Sequence, residues 1–147
     1  MFLFESLLVA MSTYSVIPVP QFEWNDRNMK YAICFFPAVG IFCGTALWGW
    51  SALADSLGIG GFFFAMIATC LPLLITGGIH MDGYMDTVDA LASHQSRERK
   101  LEILKDPNCG AFAVIYCGVY LLAYAGLTHE LFTANCILVI CPTFVLS

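Results

Sequence analysis

Three aspartates, Asp82, Asp86 and Asp89, lie within residues 77–90, directly after a long apolar run. If this segment is helical, side chains at i, i+4 and i+7 share one face, within an arc of about 60°. Like charges on one face repel one another, so the arrangement is unfavourable unless a cation lies among them. Mg²⁺ prefers oxygen ligands and is commonly shared between protein carboxylates and substrate phosphates. The spacing therefore predicts a metal-dependent site for a phosphorylated substrate.

A structural interpretation competes with the metal site. Aspartates are favoured near helix starts, where they accept hydrogen bonds from free amides and complement the helix dipole. That explains one carboxylate well, with Asp82 the natural choice, but it leaves the other two without a role. A bound Mg²⁺ would instead neutralise the charge of a pyrophosphate and align an attacking hydroxyl with its leaving group. We therefore assign Asp82, Asp86 and Asp89 to metal binding.

Three glycines and a histidine flank the aspartates. Gly83 removes a side chain beside Asp82, which leaves room for a substrate to approach. Gly77 and Gly78 end the apolar run, where they either bend the backbone into the site or allow close helix packing, and we count all three glycines as substrate-binding candidates. His80 lies about 160° around a helix from Asp82, so one straight helix does not place both on one metal. His80 is a candidate general base or phosphate contact, with a satisfied group at the membrane boundary as the alternative.

The polar segment that follows supplies further catalytic candidates. Arg97 and Arg99 are candidates for binding phosphate oxygens, because a guanidinium group can bind two at once. Arg99 and Glu102 stand at i, i+3, a spacing that predicts an ion pair on a helix surface. Asp106 precedes Pro107, which ends the helix, and is a further candidate acid. The alternative is a solvated helix at the membrane interface with no chemical role.

The composition predicts the setting of this site. The chain has 147 residues, about the size of one domain, and 59% are hydrophobic against roughly 45–50% in soluble proteins. Its mean hydropathy is +0.78. The runs 31–54 and 57–79 carry no charged side chain, and at about 1.5 Å per residue each is long enough to cross a hydrocarbon core of about 30 Å. The sequence therefore predicts an all-α fold, a polytopic integral membrane helical bundle in which residues 1–147 form a single membrane domain.

The positions of lysine and arginine predict the orientation. All six lie in two polar loops, at 21–30 and 80–109, which two predicted spans separate. Both loops therefore face one side, and by the positive-inside rule that side is the cytoplasm. We expect an incomplete, N-terminal portion of a larger bundle, because the last apolar run stops at Ser147 without a polar flank. The predicted segments are a short or interfacial helix at 2–17, spans at 31–54, 57–79, 110–127 and 131–147, and a cytoplasmic active-site segment at 80–109.

The sequence excludes several other chemistries. The seven cysteines include no C-x-x-C pair and most lie in apolar runs, so they are predicted to be small buried hydrophobes without a disulfide framework or zinc site. Neither a G-x-x-x-x-G-K-[ST] phosphate loop nor a G-x-G-x-x-G motif is present, which excludes a soluble type of nucleotide-binding domain. No basic arm indicates nucleic acid binding, and the lipid bilayer is the expected partner. The oligomeric state stays open, with a homo-oligomer among the alternatives.

The central segment resembles the cobalamin synthase family, the adenosylcobinamide-GDP ribazoletransferases. Members of that family read G-G-x-H-x-D-G-x-x-D-x-x-D-G, followed by R-x-R-x-L-x-I-x-[RK]-D and a glycine. A P-V-P sequence at 18–20 and FFPAVGIFCG at 35–44 are weaker upstream matches, so the resemblance spans nearly all of the chain. Ala90 departs from the family, which usually has glycine there. The matching residues of the two central motifs are Gly77, Gly78, His80, Asp82, Gly83, Asp86, Asp89, Arg97, Arg99, Leu101, Ile103, Lys105, Asp106 and Gly110.

This resemblance implies a reaction. Members of the family join adenosylcobinamide-GDP to α-ribazole, or to its 5′-phosphate, forming adenosylcobalamin or its phosphate and releasing GMP. They require Mg²⁺ and lie in the cytoplasmic (inner) membrane of prokaryotes. On this resemblance the three aspartates bind Mg²⁺ that bridges the pyrophosphate, while Arg97 or Arg99 steadies the departing charge. The proton acceptor stays open between His80 and a motif aspartate.

Three other functions are weighed against this one. A CDP-alcohol phosphotransferase also uses clustered aspartates at a membrane boundary, but its D-G-x-x-A-R signature fails here, where the sequence reads D-G-Y-M-D. An ion transporter subunit with an acidic mouth is expected to carry acidic residues within its spans, and the four predicted long spans contain none. A non-catalytic membrane scaffold predicts that Asp86→Asn leaves cobalamin formation unchanged.

Overall fold

The described residues of the computed structural model, 2–20 and 30–146, form helices and contain no β-strand. The all-α prediction is therefore confirmed. The first predicted polar loop, with Arg27, lies outside the described residues apart from Lys30. The helices are α1 (Phe2–Tyr14), α2 (Phe36–Leu57), α3 (Gly61–Thr76), α4 (Ile79–Ala92), α5 (Arg97–Ile103), α6 (Ala111–Thr133) and α7 (Thr143–Leu146), with 3₁₀ turns at Ile33–Phe35 and Ile137–Val139.

Two helical stretches among the described residues are long and apolar enough to cross a membrane. They are Lys30–Leu57, which includes α2, and Ala111–Thr133, which is α6. The helices α3 and α4 pass the same test only as a pair, bent by 93°. Large apolar side chains point outward from the two long helices, as the exposure of Trp48 (59%) and Leu122 (75%) shows. Such outward apolar surfaces suit lipid, so the fold is the membrane helical bundle that the composition predicts.

The bend between α3 and α4 depends on two adjacent glycines. Gly77 and Gly78 have φ values of +64° and +78°, in the left-handed region that favours glycine. A Cβ atom on Gly77 would lie 2.7 Å from Cγ1 of Val16, and the Val16 N–H donates to the Ile75 carbonyl oxygen at 2.9 Å. The run predicted to span at 57–79 is therefore a shorter helix, α3, and the glycines turn the chain by 93° into α4.

The last predicted span, 131–147, is not one helix in the structure. The helix α6 continues into this stretch and ends where Asn135 adopts a left-handed φ of +54°. The Asn135 N–H donates to the Phe132 carbonyl at 3.0 Å, and the Cys136 N–H donates to the Leu131 carbonyl at 2.8 Å. This pair of bonds is a Schellman motif, with asparagine in the position usually held by glycine. A 3₁₀ turn and the short α7 follow, so hydropathy alone missed a helix stop inside an apolar run.

The predicted spans 110–127 and 131–147 are separated by three polar residues, Thr128, His129 and Glu130, and all three lie inside α6. Thr128 is buried, and its hydroxyl donates to the Tyr124 carbonyl oxygen at 2.8 Å. The Nδ1 atom of His129 lies 3.5 Å from the Oε1 atom of Glu130, near the end of the helix. Because a threonine can satisfy its hydroxyl on the preceding helical turn, this polar cluster requires no break in the helix. The predicted span at 110–127 is therefore the first part of a longer helix.

The principal core holds α3 and α6 together. Phe64 is fully buried and stacks on Phe132, with ring centroids 3.9 Å apart. The Trp50 indole N–H donates to the Phe64 carbonyl oxygen at 3.1 Å. Full burial of a large apolar side chain contributes about 1.5–3 kcal/mol. This packing fixes the C-terminal end of α6, and the opposite end of α6 meets α4.

Candidate active site

The helix α4 carries the three aspartates, and it lies antiparallel to α6. Tyr84, near the start of α4, approaches Tyr120 in the middle of α6, with ring centroids 5.6 Å apart. Asp89, near the end of α4, contacts Gly110, the residue that precedes α6. The aspartates lie on one uninterrupted helix, so their backbone positions fall on one face of it, as the spacing predicts.

Asp89 is the most constrained of the three carboxylates. The Gly110 N–H donates to its Oδ2 atom, and the Ala113 N–H donates to its Oδ1 atom at 2.9 Å. These amides belong to the first turn of α6, where free N–H groups and the helix dipole favour a negative charge. The capping interpretation weighed for Asp82 therefore applies to Asp89, and the capped helix is α6.

Asp82 and Asp86 have no such partners. Among the described residues neither carboxylate makes a hydrogen bond or an ion pair. Asp82 is exposed and Asp86 is partly exposed. A Cβ atom added to Gly83, beside Asp82, would meet nothing within 4 Å. The helix surface at Gly83, next to Asp82, is therefore unobstructed by the described residues.

These observations test whether the residues fit Mg²⁺. No group of three or more histidine, cysteine, aspartate or glutamate side chains within 2–20 and 30–146 is arranged to hold a metal ion. The structure thus shows no closed cage of Asp82, Asp86 and Asp89. Two unpaired carboxylates at i, i+4 suit an ion that takes its other ligands from water and substrate phosphates, the usual mode for Mg²⁺.

The negative charges of the aspartates raise the pKa of the Cys109 thiol. Loss of hydration raises the pKa of this thiol, and the negative charges of Asp89, Asp86 and Asp82 raise it further, in that order of strength. Cys109 directly precedes Gly110, so the carboxylates act together on the loop that enters α6. The raised pKa keeps the thiol protonated near neutral pH, which makes it a poor nucleophile.

The prediction that the cysteines are small buried hydrophobes is wrong for several of them, including Cys109. All seven are free thiols, but only Cys43 is fully buried. The apolar runs of this chain largely face outward, so a cysteine within such a run is often on the surface. The cysteines that the structure places on the surface are Cys34, Cys70, Cys109 and Cys136.

His80 faces away from the aspartates. Its ring stacks on Tyr14 at 6.2 Å and meets the edge of Phe36 at 5.2 Å, between ring centroids. It lines a cavity of about 410 Å³ together with Met81 and Tyr84 of α4. None of the three aspartates lines this cavity. The structure therefore does not bring His80 together with the carboxylates, in agreement with their angular separation on the helix.

The arginine candidates lie on α5, which packs against α4. Ser96 caps α5 by accepting a hydrogen bond from the Arg99 N–H at 3.4 Å. Arg99 pairs with Glu102 at 2.5 Å, which confirms the predicted i, i+3 ion pair. Both side chains of this pair are more than half exposed, and Arg97 is exposed and makes no ion pair among the described residues. Arg97 is thus the freer of the two guanidinium groups.

Asp106 lies in the turn between α5 and α6. Its Oδ1 atom accepts hydrogen bonds from the Asn108 N–H at 2.9 Å and from the Asn108 side-chain amide at 2.7 Å. These bonds, with a smaller contribution from Arg99, lower the pKa of Asp106. A carboxylate that stays ionised is a poor proton donor, so this geometry opposes a role as a general acid and supports a role in shaping the loop.

Comparison with known proteins identifies the family of this fold. The chain matches the family described as cobalamin-5-phosphate synthase over residues 6–147. The chain belongs to this family. It is 49% identical to an adenosylcobinamide-GDP ribazoletransferase of Lachnoclostridium phytofermentans, over 97% of this chain and 54% of that protein. Proteins of the same description from Clostridium perfringens and Brevibacillus brevis are 38% and 37% identical, over 84% and 86% of this chain and 50% and 51% of theirs.

The cobalamin-5-phosphate synthase match begins within α1 and extends through α7, but these curated proteins are longer. The chain spans about half the length of the curated relatives it matches. No solved structure matches this one.

Proposed function

We propose that this chain carries the phosphate-binding part of an enzyme that transfers the cobinamide-phosphate group of adenosylcobinamide-GDP to α-ribazole or its 5′-phosphate. The products are adenosylcobalamin, or its phosphate, and GMP. Family membership and the names of the relatives support this reaction. The structural observation that carries it is a pair of carboxylates, Asp82 and Asp86, that make no hydrogen bond or ion pair within residues 2–20 and 30–146. They lie on a helix that Gly77 and Gly78 turn away from α3.

In the proposed site Asp82 and Asp86 would hold Mg²⁺, which when bound neutralises charge on the diphosphate. Asp89 is the third carboxylate of the predicted set, and its two hydrogen bonds to α6 set it apart. Gly83 leaves room for the substrate beside Asp82. Arg97 would bind the phosphate oxygens of the departing GMP, because it is exposed and free of an ion pair among the described residues.

The transfer forms one bond and breaks one bond at phosphorus. The ribazole hydroxyl oxygen attacks the phosphorus next to cobinamide, and the bond from that phosphorus to the GMP oxygen breaks, so that GMP leaves with the bonding electron pair. The hydroxyl proton goes to a base. His80 faces the cavity on the other side of α4, so the geometry favours a carboxylate, Asp82 or Asp86, as the proton acceptor.

We further propose a multi-pass location in the cytoplasmic membrane of a prokaryote, with α4 and α5 facing the cytoplasm. The positive-inside rule supports this orientation, because α5 and its flanks carry most of the lysine and arginine of the chain. Nucleotide-linked substrates are available on that side.

Conversion of substrate in proteoliposomes tests the proposal. We expect the full-length protein to consume adenosylcobinamide-GDP and α-ribazole and to release GMP and the cobalamin product in equal amounts, measured by mass spectrometry. Asp86→Asn should lower this conversion sharply at low Mg²⁺ concentration, whereas Asp55→Asn, which changes an exposed aspartate near the end of α2, should not. Transfer to CDP-alcohols instead, or ion flux without nucleotide substrate, would contradict the proposed reaction.

A further inference from the structure

We propose that Asp89 is a positioning residue that holds the start of α6 against the end of α4, and that it is not a metal ligand. This inference rests on the proposed function, in which Asp82 and Asp86 bind the metal ion and the substrate. It starts from the two hydrogen bonds that the Asp89 carboxylate accepts, from Gly110 to Oδ2 and from Ala113 to Oδ1. Each oxygen is held by a backbone amide of another helix, more than twenty residues away in the chain.

The residue opposite this carboxylate is a glycine, Gly110, and a side chain there would push the carboxylate away. A Cβ atom on Gly110 would lie 2.6, 2.7 and 2.8 Å from Oδ2, Oδ1 and Cγ of Asp89. The backbone of Gly110 has φ −84° and ψ 167°, a conformation that any residue adopts. The constraint on this position therefore comes from the Asp89 carboxylate and not from the backbone, since a side chain here would displace that carboxylate. Asp89 and Gly110 form one structural unit, which we term the α4–α6 clamp.

The clamp changes how the charge of the three aspartates is balanced. Three carboxylates on one face would repel one another, and the sequence suggests a metal as the remedy. The amides and dipole of α6 already stabilise the charge of Asp89. A metal ion bound by Asp89 would have to share its two oxygens with these amides, whereas no hydrogen bond from the described residues occupies Asp82 or Asp86. The geometry thus gives the three aspartates two roles: Asp89 holds α4 against α6, and Asp82 and Asp86 are available to bind the metal ion.

Close packing at the same place supports the clamp. Ala90, the residue after Asp89, is buried, and Ala113, one of the two donors, is completely buried. Small residues allow two helices to approach closely enough for a side chain to reach the backbone of its neighbour. Loss of the clamp should therefore loosen the angle between α4 and α6 and displace Asp82 and Asp86 from the substrate.

A thermal double-mutant cycle without metal tests the clamp directly. In EDTA and detergent, Asp89→Ala and Gly110→Ala should each lower the unfolding temperature, the first by loss of the cap and the second by the clash. Both substitutions disrupt the same contact. The unfolding temperature of the double variant should therefore be no lower than that of the less stable single variant. Gly118→Ala is the matched control on α6, since its Cβ would meet nothing within 4 Å. Additive losses in the double variant would overturn the clamp.

The dependence of the rate on Mg²⁺ separates positioning from ligation. Asp89→Asn retains an oxygen that accepts from one amide, so we expect partial rescue of thermal stability over Asp89→Ala, a reduced kcat and an unchanged half-saturating Mg²⁺ concentration. Asp86→Asn should raise that concentration by about tenfold or more. An equal rise in Asp89→Asn would show that Asp89 is a ligand. If no variant or parent shows transferase activity, the proposed function fails, and the metal-free cycle still decides the clamp.

Discussion

His80 and Asp82 are close neighbours in sequence but lie on opposite faces of α4. His80 contacts the rings of Tyr14 and Phe36, which belong to α1 and α2. Asp82 is exposed on the face that Asp86 and Asp89 share. One turn of helix therefore separates an exposed ring that contacts two other helices from an acidic surface. The ring contacts of His80 support a packing role, and its catalytic role stays a prediction.

We predict that His80→Phe retains transfer activity close to that of the parent, because phenylalanine keeps both ring contacts. His80→Ala should instead lower the free energy of unfolding by about 0.5–1.5 kcal/mol for each aromatic pair lost. Steady-state rates across a pH series and thermal unfolding of both variants measure these effects. A fall of about 10²–10⁴-fold in kcat for His80→Phe, together with loss of a titrating group from the pH profile, would instead identify His80 as the general base.

The two arginines of α5 should differ in their effect on turnover. Arg97 is free to bind a leaving phosphate, whereas Arg99 is paired with Glu102. We expect Arg97→Ala to lower kcat by about 10²–10³-fold, the loss typical of one donor to a developing negative charge. Arg99→Ala should have a smaller effect, because an exposed ion pair contributes at most about 1 kcal/mol and its arginine is not committed to the substrate.

Single-turnover rates at saturating Mg²⁺ make this comparison. Glu102→Gln is the control, since it releases Arg99 without changing either arginine. If Arg99→Ala proves the more damaging variant and Glu102→Gln accelerates transfer, the roles of the two arginines are reversed.

Much of this site follows from local sequence patterns. The helix of α4, the shared face of its aspartates and the Arg99–Glu102 pair depend on residues within two helical turns, and the structure contains all three. The sequence also allows a bend at Gly77 and Gly78, because adjacent glycines readily take left-handed conformations. Local spacing is enough for features of this kind.

Contacts between distant segments were beyond the same reasoning. Asp89 finds its amides in α6, and nothing in the spacing of the motif indicates that partner. The Schellman motif at Asn135 was hidden by the apolar residues around it, because hydropathy does not report backbone conformation. A motif glycine that follows a polar loop, such as Gly110, was the available signal, since glycine marks places where another group approaches closely.

The thiol of Cys109 offers a direct measure of the acidic field. The carboxylates of Asp89, Asp86 and Asp82 raise its pKa, so the thiolate fraction at mildly alkaline pH is lower than for an ordinary cysteine. Replacing Asp86 with asparagine removes one negative charge and should lower the pKa of Cys109. We therefore expect faster alkylation of Cys109 by iodoacetamide in Asp86→Asn at the same pH, followed by peptide mass spectrometry.

The pH dependence of this labelling shows independently in which direction the pKa of Cys109 changes. The rate should rise with pH in both proteins, and the midpoint should lie at lower pH in Asp86→Asn. Asp55→Asn, a change distant along the chain on α2, should leave the midpoint where it is. An unchanged midpoint in Asp86→Asn would mean that the carboxylate charge does not reach this thiol.

Replacing Gly83 with alanine is expected to change stability and transfer activity in opposite directions. It lies within α4, and a Cβ atom there would meet nothing within 4 Å. In a helix interior, glycine is less favourable than alanine by about 0.5–1 kcal/mol. We therefore predict that Gly83→Ala raises the free energy of unfolding by about that amount while lowering the transfer rate, because the added methyl group occupies space beside Asp82 that the substrate uses.

Gly77→Ala gives the opposite pattern and serves as the comparison. Its φ of +64° and its contact with Val16 make any side chain unfavourable, so this variant should lose both stability and activity. Thermal unfolding without substrate, together with KM for adenosylcobinamide-GDP, distinguishes the two glycines. A Gly83→Ala protein that is more stable and fully active would show that the substrate does not approach α4 at Gly83, since the same methyl group that favours the helix would then obstruct nothing.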